Sequence, residues 1–100
     1  MVSYKFIKKG VIELIKELAL GPVIVAHVVS KEIKSYKSGI FNGDGCKDKK
    51  VNHSALLVGY NLDADVPYFI LKNAWGPEWG DGGYYRISIG ELDNKNMGTC

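Results

Sequence analysis

The sequence has no apolar run long enough to cross a membrane. No stretch approaches the roughly 20 apolar residues that a spanning helix needs, and Met1–Lys5 lacks the apolar core of a secretory signal. The apolar share is 46% and the charged share 24%, values typical of globular chains and not of disordered ones. We therefore expect one domain over residues 1–100, with no membrane partner.

A strong excess of charge is also missing. The formal net charge is +2, and the one dense basic run, Lys47 to Lys50, contains Asp48 within a glycine-rich segment. A nucleic-acid surface should carry a basic stripe with stacking aromatic side chains, and the sequence contains no such stripe. We therefore expect no nucleic-acid partner.

Soft metal ligands are few and scattered. The chain has two cysteines, Cys46 and Cys100, and two histidines, His27 and His53. They form neither a CxxC pair nor a zinc-ligand spacing. The sequence therefore predicts no metal site and no cofactor. Whether the two cysteines are free or joined in a disulfide stays open at this point.

The first half of the sequence predicts a helix followed by a strand. Residues 10–20 place apolar side chains at helical spacing, and Gly21-Pro22 is a strong helix stop. The β-branched, mostly apolar run Val23–Val29 favours a buried strand. Ser30 can cap a short second helix that continues to Tyr36.

The second half predicts antiparallel β structure. Strands are expected over Ser54–Tyr60, Val66–Lys72 and Tyr84–Ile89, with glycine-rich loops at residues 39–50 and 76–83. The expected fold class is α+β, with one helix packed against a small, curled, barrel-like antiparallel sheet.

Two segments carry candidate chemistry. His53 directly precedes an apolar strand, a placement that gives a general base rigid support on one side and open space on the other. Asn73 ends the next strand and is followed by Trp75 and Trp79 in glycine-rich backbone. An amide oxygen can accept an imidazole N–H and fix the ring, and a nearby indole can exclude water from that bond. Taken singly, each residue is more often structural.

Together these segments resemble the papain family of cysteine peptidases, specifically its C-terminal, right-hand domain. The resemblance extends from about residue 10 to residue 100. It is carried by five ordered blocks: Gly21–Ala26, Tyr36–Phe41, Asn52–Ser54, Val58–Tyr60 and Asn73–Tyr84.

The resemblance implies roles for four residues. His53 is similar to the catalytic histidine, which holds the nucleophile as a thiolate and later protonates the leaving amine. Asn73 is similar to the asparagine that orients this histidine. Trp75 resembles the indole that shields the His–Asn hydrogen bond, and Trp79 resembles the tryptophan on the leaving-group side of the cleft.

The resemblance also implies substrate contacts. Ala26 and Ser54 match positions that wall the main specificity pocket, and Asn52 matches a position that contacts the substrate backbone. Ser54 stands where the family usually has Ala or Gly, and Ala74 stands where it usually has Ser. Both changes are small, so we expect the site geometry to be retained.

The nucleophile is expected to lie in a different domain from this one. In the family it lies in the preceding domain, within a Gln-x-x-x-x-x-Cys-Trp pattern, and this chain has no glutamine and no cysteine before Cys46. Cys46 itself lies in a glycine- and lysine-rich loop and not at a helix N-terminus that would lower its pKa. The resemblance instead implies a disulfide between Cys46 and Cys100. His27 is expected to be a structural histidine that points away from the face of Ala26.

The sequence therefore predicts the His- and Asn-bearing half of a cysteine endopeptidase, inactive alone. Expected partners are a peptide or protein substrate, an N-terminal domain that carries the nucleophile, and a propeptide or cystatin-like inhibitor. The family implies a lysosome- or vacuole-like compartment, or secretion. The alternative is a non-catalytic module that captures a propeptide or inhibitor, or pairs in trans with an N-terminal domain.

Overall fold

The structure is a computed structural model that describes residues 2–3, 11–28, 31–42 and 53–89. Its elements are, in chain order, β1 (Val2–Ser3), α1 (Val11–Leu18), β2 (Val23–His27), α2 (Lys31–Lys34), β3 (Ile40–Phe41), β4 (His53–Asn61), β5 (Tyr68–Lys72) and β6 (Tyr84–Ser88). Neither helix in these ranges is long and apolar enough to cross a bilayer.

The six strands form one sheet in the order β1-β2-β4-β5-β6-β3. Every neighbouring pair is antiparallel except β3 and β6, which run parallel. The predicted α+β class is confirmed. The parallel pair was not predicted, because β3 has only two residues and lies at the start of the expected loop 39–50. In the described residues β1 and β3 are the two edges, so the sheet is open and not a closed barrel.

The sheet curls around its buried face. In a flat sheet β2 and β6, which are separated by β4 and β5, would lie roughly 14 Å apart. Side chains that stand perpendicular to such a sheet could not bridge that gap. Yet the Tyr85 hydroxyl of β6 lies 2.7 Å from Nε2 of His27 on β2. This cross-sheet hydrogen bond requires the strong curl that the sequence predicted.

The curled face encloses the hydrophobic core. Alternate residues of β2 and β4 point into it, so Val25, Ala55 and Leu57 are buried while Ile24 and Ser54 are exposed. The other members of the core are Leu14, Ile33, Tyr36, Phe69, Leu71, Tyr85, Ile87 and Ile89.

Helix α1 covers one side of this core through Leu14, which is fully buried, and through the partly buried Ile15 and Leu18. The sequence predicts a helix that continues to residue 20, with Ala19 on its apolar face. That extension is wrong, because the helix ends at Leu18 in a turn in which the Gly21 N–H donates to the Leu18 carbonyl. Gly21 adopts a φ of 137°, and Ala19 is exposed.

The loop between β5 and β6 is built on glycines with positive φ. Gly76, Gly80, Gly82 and Gly83 all have φ values between 61° and 94°. The loop closes where the Asp81 N–H donates to the Tyr84 carbonyl at 3.0 Å. A Cβ at Gly80 would lie 2.8 Å from that same carbonyl oxygen, whereas a Cβ at Gly82 would meet no atom within 4 Å.

We expect the Gly80→Ala and Gly82→Ala variants to differ in stability. Both place an L-residue in the left-handed region, which costs roughly 1–2 kcal/mol. Only Gly80→Ala also pushes a methyl group into backbone, which adds about 1–3 kcal/mol. Urea unfolding measures the difference, and equal losses of unfolding free energy in the two variants would contradict this account.

Candidate active site

The site begins where β4 begins. His53 is the first residue of that strand and is half-buried. The sequence predicts a strand that starts at Ser54, whereas the ladder with β2 extends to His53, which pairs with His27. The backbone of His53 is therefore fixed by sheet pairing while its ring lies at the rim of the sheet.

Antiparallel pairing carries Asn73 to the same rim. In the β4–β5 ladder Leu57 pairs with Leu71 and Leu56 pairs with Lys72. One further step sets Asn73 beside Ala55, two residues from His53. Nε2 of His53 lies 3.1 Å from Oδ1 of Asn73.

The chemistry of the acceptor fixes the histidine tautomer. The Ala74 N–H also donates to Asn73 Oδ1, at 2.8 Å, so the atom facing both groups is the amide oxygen. His53 must therefore donate its Nε2–H, which leaves Nδ1 as the nitrogen with a free lone pair in the neutral ring. Among the described residues, Nδ1 has no hydrogen-bond partner.

Asn73 is held rigidly for this purpose. Its side chain is 7% exposed, and its backbone N–H donates to the Gly83 carbonyl at 2.9 Å across the glycine loop. Both the amide and its backbone are thus fixed before any substrate binds. Such pre-organisation is what an orienting group requires.

Two opposing effects set the pKa of His53. Burial, the larger effect, lowers the pKa from its usual value because it disfavours the charged ring. The hydrogen bond to Asn73 raises the pKa, since it stabilises the imidazolium. The ring is neutral at pH 7 in this environment, and Nδ1 can accept a proton from an acid within hydrogen-bonding distance.

Two tryptophans flank the His–Asn pair. The Trp75 ring lies 5.1 Å from the His53 ring, centroid to centroid, and Trp79 lies 5.0 Å from Trp75 in an edge-to-face contact. The Trp79 indole N–H donates to the Lys34 carbonyl at the end of α2, at 3.1 Å. The helix therefore fixes the second tryptophan, and the second tryptophan supports the first.

The other histidine is fully buried, and both of its ring nitrogens have partners. A carbonyl can only accept, so His27 Nδ1–H donates to Val28 O at 2.8 Å, and Nε2 accepts from the Tyr85 hydroxyl at 2.7 Å. Burial lowers the pKa of His27 to about 4, so the ring is neutral at pH 7. Burial also raises the pKa of the Tyr85 hydroxyl, which keeps it a donor.

The structure brings His53, Asn73, Trp75 and Trp79 together, in agreement with the grouping predicted from the sequence; their catalytic roles stay predictions. Ala26 and Ser54 are directly opposite each other in the β2–β4 ladder, on the face away from the core. Their role as a pocket wall also stays a prediction. Three predicted residues lie outside the described residues: Asn52, Cys46 and Cys100.

In the ranges that the structure describes, no three His, Cys, Asp or Glu side chains group so that they could hold a metal ion.

Comparison with known proteins gives a consistent result. Residues 1–100 match the family described as papain family cysteine protease. The chain belongs to this family.

A relative from Arabidopsis thaliana, the thiol protease aleurain-like, is 46% identical over 84 residues, which cover 79% of this chain and 22% of the relative. This papain-family chain thus spans about a fifth of the length of that relative.

Solved structures show the same fold. Bromelain from Ananas comosus, in complex with the E64 inhibitor, superposes with a TM-score of 0.74 at 28% identity, covering 90% of this chain and 41% of that one. Digestive procathepsin L2 proteinase from Tenebrio molitor superposes with a TM-score of 0.73 at 31% identity, covering 86% of this chain and 28% of that one.

The sequence did not predict that His27 and Tyr85 contact each other next to the site. The two residues lie 58 positions apart, and only the curl of the sheet brings them together. The contact of His27 with His53 could have been found by aligning the apolar strand at Val23 with the one after His53, because antiparallel pairing of the two places the histidines opposite each other.

We expect Asn73→Leu to lower the pKa of His53. Leucine keeps the site buried but removes the acceptor that stabilises the imidazolium, so the ring should become harder to protonate. A pH titration of the ring protons by NMR measures this, with only two histidines to assign. Asn61→Leu, at the opposite end of β4, is the matched control. A His53 pKa that stays constant or rises in Asn73→Leu would contradict the assignment.

Proposed function

We propose that this chain supplies the acid–base half of a cysteine endopeptidase. His53 acts as base and then as acid, and Asn73 orients it. The observation that supports this most directly is the hydrogen bond from His53 Nε2 to Asn73 Oδ1, which leaves Nδ1 as the reactive nitrogen. Membership of the papain family supports a peptidase, and the thiol is proposed to come from a nucleophile-bearing N-terminal domain and not from Cys46.

The proposed reaction uses Nδ1 twice. A cysteine thiol transfers its proton to Nδ1, and the resulting thiolate attacks the carbonyl carbon of the peptide bond. The imidazolium then gives that proton to the leaving amine as the C–N bond breaks, which leaves a thioester. Water, deprotonated by Nδ1, hydrolyses the thioester, and the proton returns to the thiolate.

The thiolate would also change the charge state of His53. Burial alone lowers the pKa of His53, whereas a negative charge within a few ångströms favours the imidazolium and raises it. The ion pair would thus form only when the two halves are assembled. Asn73 favours the same charged form, because its oxygen accepts a stronger hydrogen bond from the charged ring than from the neutral one.

Substrate binding is proposed on the rim around His53. Ala26 and Ser54, paired across β2 and β4, form one wall of the specificity pocket, and Asn52 contacts the substrate backbone. Trp79 lies on the leaving-group side. The hydroxyl of Ser54 makes the pocket wall more polar than an alanine would.

The proposed partners follow from the family. They are a peptide or protein substrate, an N-terminal domain that bears the nucleophile, and a propeptide or cystatin-like inhibitor. The structural neighbour from Tenebrio molitor is itself a procathepsin, which supports the propeptide. We propose a lysosome- or vacuole-like compartment, or secretion, as the location.

One observation favours a second function, that of a non-catalytic binding module. Ile24, Trp75 and Tyr84 are exposed by 45%, 41% and 40% of their surfaces, so each leaves apolar area open to a partner. A partner domain, propeptide or inhibitor could cover them. Light scattering tests this: a monomer that shows no self-association or partner binding would argue against an interface at these residues.

We expect His53→Ala to lower peptidase activity strongly. In the protein assembled with its nucleophile-bearing domain, loss of the acid–base group should lower kcat by about 10²–10⁴-fold. Asn73→Ala should lower kcat less, since the ring remains but is no longer oriented. The control Asn61→Ala removes an asparagine at the other end of β4, which caps a turn and donates to the Tyr68 hydroxyl. A fluorogenic dipeptide assay reports all three, and activity of the isolated chain that survives His53→Ala would refute the scheme.

We also propose that Cys46 and Cys100 form the disulfide that the family implies. The chain should then resist iodoacetamide until it is reduced, because a thiolate is the reacting species. Peptide mapping before and after reduction measures this. Ready alkylation of Cys46 without reductant would show that the pairing is wrong.

A further inference from the structure

Five rings, one of them His53, form a closed circuit of contacts next to Asn73. Centroid distances are 5.1 Å from His53 to Trp75, 5.0 Å from Trp75 to Trp79 and 5.2 Å from Trp79 to Tyr85. The circuit continues for 5.8 Å from Tyr85 to His27 and closes with 5.7 Å from His27 to His53. His53 therefore contacts two rings of the circuit, those of Trp75 and His27.

The two rings that contact His53 differ in how firmly they are held. Trp75 is 41% exposed, whereas His27 is 0% and Tyr85 1% exposed. His27 is also tied at both nitrogens, to Val28 O and to the Tyr85 hydroxyl. Rotation of its ring would break both bonds inside the core, where unpaired polar groups are costly. The buried neighbour of His53 is thus the His27 ring, which cannot rotate without breaking these bonds.

The burial of the polar pair His27 and Tyr85 needs an explanation. Two apolar rings would fill the same space without placing a hydroxyl and an imidazole in the core. What the polar pair adds is orientation, since an apolar ring could rotate in place. The ring that it orients packs edge-to-face on His53, with an interplanar angle of 83°.

We propose that His27, held by Tyr85, is a positioning residue for His53. It closes the inner side of the ring, so that Nε2 stays on Asn73 Oδ1 and Nδ1 faces the open side. The catalytic meaning of this placement rests on the proposed function. The placement itself does not, and it can be measured without substrate or nucleophile.

The test follows His53 by NMR in the full 100-residue chain. In His27→Ala, water should reach the ring, so the pKa of His53 should rise toward 6.5. Exchange of its Nε2–H proton with water should accelerate at least about tenfold. His27→Phe restores the ring volume and should return the pKa to its wild-type value. A folded His27→Ala chain with both signals unchanged would overturn the proposal.

Two matched controls separate positioning from general stability. Leu14→Ala removes an equally buried side chain from the core and should leave the His53 signals unchanged. Tyr85→Phe removes the hydroxyl that ties His27 and should speed exchange at His53, whereas Tyr84→Phe removes an exposed hydroxyl next to it in sequence. If His27→Ala does not fold, the comparison of Tyr85→Phe with Tyr84→Phe provides the test. Equal exchange in Tyr85→Phe and wild type would then refute the proposal.

The two proposals can fail separately. An assembled peptidase that is inactive, with His53 still responding to His27→Ala, would refute only the proposed function. An active peptidase whose His53 ignores His27→Ala and Tyr85→Phe would refute only the positioning role.

Discussion

The register between β4 and β5 is the constraint on which the site depends. Pairing of Leu56 with Lys72 places the residue after β5 beside the start of β4, so an amide and an imidazole that are 20 residues apart meet at 3.1 Å. A slip by one residue would turn Asn73 to the other face of the sheet. The burial of Phe69 and Leu71 prevents that slip, because a slip of β5 would expose both side chains. The hydrophobic core thus determines the geometry of a polar pair.

Electrostatics and packing favour different states of His53. The surrounding core disfavours its charged form, while the Asn73 oxygen favours it. A group balanced in this way responds strongly to one additional charge, and a general base requires that sensitivity. His27, deeper and tied at both nitrogens, is neutral at pH 7 and places no second positive charge beside the first.

Local features of the fold were predictable, and distant ones were not. His53, Asn73 and the two tryptophans lie in short blocks with their own chemistry, so the sequence could group them. The predicted helix extends two residues too far at its C-terminal end, because the apolar spacing continues through Ala19 after the turn to Gly21 has begun. The parallel strand Ile40–Phe41 has only two residues and no alternation to read. The sequence predicts a curled sheet, but the His27–Tyr85 contact depends on how far the curl brings β2 and β6 together, which no local window contains.

The cross-sheet hydrogen bond also bears on how the domain folds. Its partners are 58 residues apart in the chain, so the hydroxyl that holds His27 beside His53 is supplied almost at the end of the described sequence. Closing so long a loop is slow, because the chain loses conformational entropy before the contacts that compensate for this loss have formed. During synthesis the first three strands and His53 leave the ribosome before Tyr85 has been added to the chain. The core can therefore begin to collapse early, while the geometry around His53 is among the last parts of the domain to form.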